Sequence, residues 1–207
     1  MPNFKVCRNF ESGIGGSVTI YGGEVTADAT SYNPYVDDYQ FNKYGAGIGG
    51  GDEGSQGGPI YIYGGTVIAR TQIGHGAAIG GGNKGHGGTV VISGGTVKAY
   101  GKNQGTAIGA GYDGIGGDIT ITGGNVEAIC ANSTEYGVDD YIVGIGTFNG
   151  EKGTLTVTGG YVKVGGYDAL DINANVTLGY VRVTDGDKNV ECKDRLSYIE
   201  KDKWGIE

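Results

Sequence analysis

Short runs in which apolar and polar residues alternate recur along the chain in pairs, and a double glycine joins each pair: SVTIYGGEVTA, PIYIYGGTVIA, TVVISGGTVKA, DITITGGNVEA and TLTVTGGYVKV. A period of two is the pattern of a strand with one buried face. In the first run of each pair it turns Val18/Ile20, Ile60/Ile62, Val90/Ile92, Ile119/Ile121 and Leu155/Val157 inward. In the second it turns in Val25/Ala27, Val67/Ala69, Val97/Ala99, Val126/Ala128 and Val162/Val164. A decayed sixth unit, ALDINANVTLGYVRV (169–183), lacks the double glycine but keeps apolar positions, with Val176/Leu178 and Val181/Val183 expected inside.

A third element accompanies each pair. ESGIGG, GAGIGGG, GAAIGGG, GTAIGAG and VGIGT place an isoleucine at 14, 48, 79, 108 and 145, and each motif predicts a very short strand followed by a glycine-rich connection. Three short strands of small apolar residues close no core alone, whereas stacked repeats pile equivalent residues into columns. The pattern therefore predicts an all-β fold, a single parallel β-solenoid: a right-handed three-sided β-helix of about six coils, about 29 Å long at ~4.8 Å per coil. The double glycine then marks a sharp corner that needs positive φ. In the alternative, Gly-Gly closes antiparallel hairpins, as in a propeller or prism, which leaves the Ile-Gly strand without a partner.

Composition narrows the picture. Glycine fills 46 of 207 positions against three prolines, without the every-third spacing of collagen, and the ordered Val, Ile and Tyr positions exclude a flexible linker. A net charge of −8 argues against direct nucleic-acid binding. Cys7, Cys130 and Cys192 show no CxxC spacing and read as unreactive thiols. No apolar run reaches the ~18 residues of a membrane span, and MPNFKVCRNF lacks the apolar stretch of a secretory signal. The expected location is extracellular or cell-surface for a module of a longer exported chain, and cytoplasmic if Met1 is the native start.

The repeats assign residues 1–184 to the β-helix domain and 185–207, poor in glycine and rich in charge, to a C-terminal capping segment with Leu196, Ile199 and Trp204 over the last coil. Two units carry extra residues between the second strand and the Ile-Gly motif, DATSYNPYVDDYQFNKYG (28–45) and ICANSTEYGVDDYIVG (129–144), and both contain VDDY. Equivalent corners project from one edge of a solenoid, so the two loops are expected on one side, ~14 Å apart. Tyr35, Asp37, Asp38 and Tyr39 of the first and Tyr136, Asp139, Asp140 and Tyr141 of the second form the candidate ligand-binding set. Tyrosine stacks on the apolar face of a sugar ring, and carboxylates accept from its hydroxyls. Tyr21, Tyr61 and Tyr63 are expected to face outward from strands, where tyrosine also serves simply as a good strand residue.

The Asp pairs, with Asp52/Glu53, offer oxygen ligands for Ca²⁺, but no EF-hand loop is present and solvated carboxylates are the simpler reading, so no cofactor is assigned. His75 and His86 flank one Ile-Gly motif with no carboxylate at ligand spacing. No pair of acids has the spacing of a glycosidase or lyase site, which argues against an enzyme. Outward Thr120/Thr122 and Thr156/Thr158 resemble the threonine arrays of ice-binding solenoids only weakly, because Tyr61/Tyr63 and Val91/Ser93 fill the same columns.

The series GAGIGGG, glycine-rich connection, TVxISGGTVxA resembles the glycine-rich β-helical repeat regions of bacterial surface proteins of adhesin or carbohydrate-binding type, over about residues 11–184. The resemblance implies an extracellular place and a glycan or surface polysaccharide as ligand, and transfers no catalytic motif. The leading expectation is a non-catalytic recognition module. Its rivals are an acidic intracellular protein, phage-encoded in one version, that blocks a basic nucleic-acid-binding protein, and a polysaccharide lyase-like enzyme.

Overall fold

A computed structural model of the chain describes residues 16–29, 45–52, 54–71, 75–102, 104–131, 143–166, 168–177 and 180–185. The described chain winds through successive coils. The first holds β1 (Val18–Ile20), β2 (Glu24–Asp28) and β3 (Ile48–Gly49), and the second β4 (Ile60–Ile62), β5 (Thr66–Arg70) and β6 (Ile79–Gly80). The third holds β7 (Thr89–Ile92), β8 (Thr96–Lys102) and β9 (Ile108–Tyr112), and the fourth β10 (Asp118–Ile121), β11 (Asn125–Ala131) and β12 (Ile145–Phe148). The fifth holds β13 (Thr154–Val157), β14 (Tyr161–Gly166) and β15 (Leu170–Asp171), and the sixth β16 (Asn173–Val176) and β17 (Tyr180–Asp185).

Each strand pairs in parallel with its counterpart one coil away, giving three sheets: sheet A in the order β1-β4-β7-β10-β13-β16, sheet B in the order β2-β5-β8-β11-β14-β17, and sheet C in the order β3-β6-β9-β12-β15. The fold is a three-sided parallel β-solenoid. The Gly-Gly pairs turn the chain between sheets A and B rather than closing hairpins, since β1 pairs with β4 and β2 with β5.

Register explains the columns. Ile60, Val90, Ile119 and Leu155 stack in one, Ile62, Ile92, Ile121 and Val157 in the next, and Val67, Val97, Val126 and Val162 line the opposite wall, all essentially without exposure. Each coil supplies too little apolar area to fold alone, and stacking hides it against the coils on either side. At the first coil Val18 and Val25 are only partly buried.

The glycines are needed where coils touch. Gly95, the second glycine of its corner, has φ +82, and a Cβ there would lie 2.5 Å from the Gly65 carbonyl oxygen one coil below. Gly109 of an Ile-Gly strand has φ +139, and a Cβ would collide with the Gly146 carbonyl. An L side chain is excluded twice, by backbone conformation and by the next coil.

The sixth coil differs from the expected register. Leu155 pairs with Ala174 and Val157 with Val176, a register two residues earlier than the expected pairing of Val176/Leu178 with these columns; Leu178 itself lies outside the described residues. The alternation in DINANVTL permits either frame, and pairing with the fifth coil selects the one that places Ala174 against the core. Leu170–Asp171 also completes sheet C, where the Ile-Gly motif has decayed beyond recognition in the sequence.

Candidate functional site

The eight loop residues proposed from sequence, Tyr35, Asp37, Asp38, Tyr39, Tyr136, Asp139, Asp140 and Tyr141, lie outside the described residues. Their flanking strands are equivalent: one insertion lies between β2 and β3, the other between β11 and β12, three rungs along sheets B and C. The capping segment from 186 onward also lies outside the described residues, as do Glu53, Cys7 and Cys192.

Within the described residues, the outer face of sheet A gathers the strongest recognition chemistry. Its strands turn out Thr19, Tyr61, Val91, Thr120, Thr156 and Asn175 in one register column. The residues that follow the strands, Tyr21, Tyr63, Ser93, Thr122, Thr158 and Thr177, are exposed beside it. Tyr21 is 79% and Tyr63 46% exposed, unusual for large rings. Their centroids lie 5.2 Å apart with planes at 16°, a stack along the solenoid axis that follows the coil spacing. Tyr61 and Tyr63 alternate on one strand, and their rings lie 6.4 Å apart and 4° from parallel. That separation is close to the ~6.6 Å repeat of alternate strand residues, so the two rings stand side by side.

Beyond this aromatic pair the same columns drop to Val91 and Ser93 and then to threonines, making a step from rings to a hydroxyl-bearing surface. Asp118 is the one charged residue that sheet A turns outward in the described strands, and Thr154 Oγ1 donates to its Oδ1 at 2.7 Å. Sheet B is the opposite. It turns out Glu24, Asp28, Arg70, Lys98, Lys102, Glu127 and Lys163. Lys163 Nζ lies 2.8 Å from Glu127 Oε1, Tyr100 Oη donates to Glu127 Oε2 at 3.2 Å, and the Arg70 guanidinium sits 5.8 Å from the Tyr100 ring centre. The Lys163 hydrogen bond holds the Glu127 carboxyl below its ordinary range against the opposing effect of burial.

A second cluster lies at the end of sheet C, where sequence spacing shows no partner for His75. Coil stacking supplies them. His75 packs against Tyr112 at 4.8 Å, Tyr112 against Phe148 at 5.2 Å, and Asn83 Nδ2 donates to Asp52 Oδ1 at 3.3 Å. Burial lowers the His75 imidazole below its ordinary value, outweighing Asn83, Asp52 and Asp113, which all raise it. Asp52, Asn83 and Tyr112 share one offset from their Ile-Gly motifs, the signal that could have revealed the column, while Phe148 joins through a register irregularity in β12. Lys84, Asp113 and Asn149 follow at φ 57, 53 and 62, a left-handed corner position filled by side chains.

Among the described residues no three His, Cys, Asp or Glu side chains converge to hold a metal ion. Buried Cys130 donates its thiol to the Gly105 carbonyl at 3.1 Å. No helix of the described residues is long and apolar enough to cross a membrane.

A family model for the beta helix repeat matches residues 18–52, 60–83, 90–118 and 119–147, together more than half of the chain. The chain belongs to the beta helix repeat family. Each matched segment of the beta helix repeat starts on a strand of sheet A, so one repeat corresponds to one coil, and the fifth and sixth coils extend the solenoid beyond the matched residues. No curated protein and no solved structure matches the chain.

Proposed function

We propose that this beta helix repeat protein is a non-catalytic recognition module that binds a glycan or polysaccharide. The observation that carries the reading is the near-parallel array of exposed Tyr21 and Tyr63 with half-buried Tyr61 on a sheet face. Tyrosine rings held by a rigid scaffold offer apolar area and a hydroxyl to a sugar at small entropic cost, since the side chains are already ordered against one another. The duplicated VDDY loops, which join sheet B strands to sheet C strands, are a second candidate contact region, separate from the sheet A face. An extracellular or cell-surface location accompanies this reading, as in the surface proteins that the repeat resembles.

The test is a glycan array together with polysaccharide pull-down using the whole chain. Binding to at least one glycan class is expected, and absence of binding across both assays sinks the proposal. Tyr39→Ala with Tyr141→Ala measures what the loops contribute.

A further inference from the structure

Resting on that reading, we infer that the ligand is an uncharged polysaccharide, and that it lies on the outer face of sheet A along the solenoid axis, from the Tyr61/Tyr63 step across the threonines of the following coils. Three features support the assignment. The face carries one outward charge in its described strands, Asp118, already engaged by Thr154. A polyanion would find no cation on the described strands of this face and would meet a protein of net charge −8, so charge complementarity disfavours acidic polymers there. A polycation would find no row of carboxylates on the described strands of sheet A, whereas sheet B carries both signs.

The second feature is the hydrogen-bonding character of the surface. Thr120, Thr122, Thr156 and Thr158 are threonines in register, repeating at about 4.8 Å along the axis. A hydroxyl both donates and accepts, so a field of them matches a polymer of hydroxyls without fixing its orientation or requiring a counter-ion. The third is the step itself. Tyr21 covers one side of Tyr63, while the next coil offers Val91 and Ser93 in the columns of Tyr61 and Tyr63. These shorter residues leave space beside the ring pair, with Val91 supplying an apolar floor. A sugar ring seated there stacks on tyrosine while the rest of the chain continues over the threonine columns.

The experiment is affinity electrophoresis and titration calorimetry of the whole chain against neutral polysaccharides (xyloglucan, galactomannan, hydroxyethyl cellulose, amylose) and acidic ones (polygalacturonate, alginate). At least one neutral polymer is expected to bind with little dependence on salt. Tyr61→Ala with Tyr63→Ala should weaken that binding about tenfold or more, Thr120→Val with Thr156→Val should weaken it several-fold, and Lys98→Ala with Lys163→Ala should leave it unchanged. The Thr→Val pair keeps the strand shape and separates lost contacts from lost folding, and thermal melts accompany every variant.

Binding of acidic polymers alone, with steep salt dependence, overturns this inference and leaves the glycan reading standing. Neutral binding indifferent to both the Tyr and the Thr variants also overturns it, because the site is then elsewhere. A dimer that the Tyr61/Tyr63 variant dissociates overturns it in favour of a second copy on this face. No binding to any polymer overturns the glycan reading itself.

Discussion

Sheets A and B are wound by the same coils, with equally buried inner columns, yet their outer faces carry different chemistry. Sheet B balances Arg70, Lys98 and Lys163 against Glu127 and others in contacts that run from coil to coil, and Tyr100 is tied into them. Sheet A presents rings and hydroxyls to solvent. A solvated charge ladder needs no ligand to be content in water, and its exposed ion pairs are worth at most about 1 kcal/mol each. An exposed aromatic array is different, because its apolar area gains by being covered. The contrast shows that the scaffold leaves outward positions free to diverge, and that function is better sought where the divergence leaves surface unsatisfied.

The most severe way to break the comparison is to break the coils both faces share. Gly109→Ala should cost at least about 3 kcal/mol through its left-handed backbone and its contact with Gly146, measured by denaturant unfolding. Gly22→Ala is the control: no atom of the described residues lies within 4 Å of a Cβ there, and the change should stay within about 0.5 kcal/mol. Equal loss in the two variants would refute the stacking account of glycine.

Next in size is the core beneath sheet A. Ile92→Ala should cost about 2–5 kcal/mol, because a fully buried side chain leaves a cavity between stacked coils that cannot collapse without shifting both. Truncating Tyr61 and Tyr63 together should be much milder on folding, within about 1 kcal/mol, so that any loss of binding reads as lost contact. A melt as low as that of Ile92→Ala would make the rings structural.

The corner cluster gives a pH signature in the imidazole range. The folded His75 binds protons less readily than the unfolded one, so its contribution to stability is present above its ordinary value of 6.5 and is lost as pH falls through the lower folded value. Melting temperature should therefore decline below about pH 6.5, and His75→Gln should flatten that part of the profile. Smallest is sheet B: Glu127→Gln should change stability by less than about 1 kcal/mol near neutrality. The depressed folded value of Glu127 makes its share disappear only as pH falls below the ordinary carboxylate range.

The clearest legibility lay where one residue type does one job in every coil. Gly95 and Gly109 could be read as structural because the same corner and the same Ile-Gly step recur, and Val90/Ile92 as core because strict alternation admits one face. The decayed unit could not be resolved, because Ala174/Val176 and Val176/Leu178 alternate equally well and only pairing with Leu155 and Val157 chooses. His75 looked isolated for a related reason: its neighbours Asp52 and Tyr112 belong to the coils before and after, so their proximity is a property of winding. The outward positions of Tyr21, Tyr61 and Tyr63 were legible, but not that their rings form one array or that the face around them is almost uncharged.

By itself, then, the sequence determined the coil. Period-two alternation, the Gly-Gly corner and the Ile-Gly step are local requirements of backbone and solvent, repeated until a stacked solenoid is the arrangement that buries every apolar column. Tertiary structure decided which coils' side chains meet: the register of Ala174, the partners of His75, the ring stack of Tyr21 on Tyr63 and the contrast between sheets A and B. The physical reason is the parallel ladder, which carries residues a full repeat apart to within about 4.8 Å of one another, a distance that no local pattern encodes.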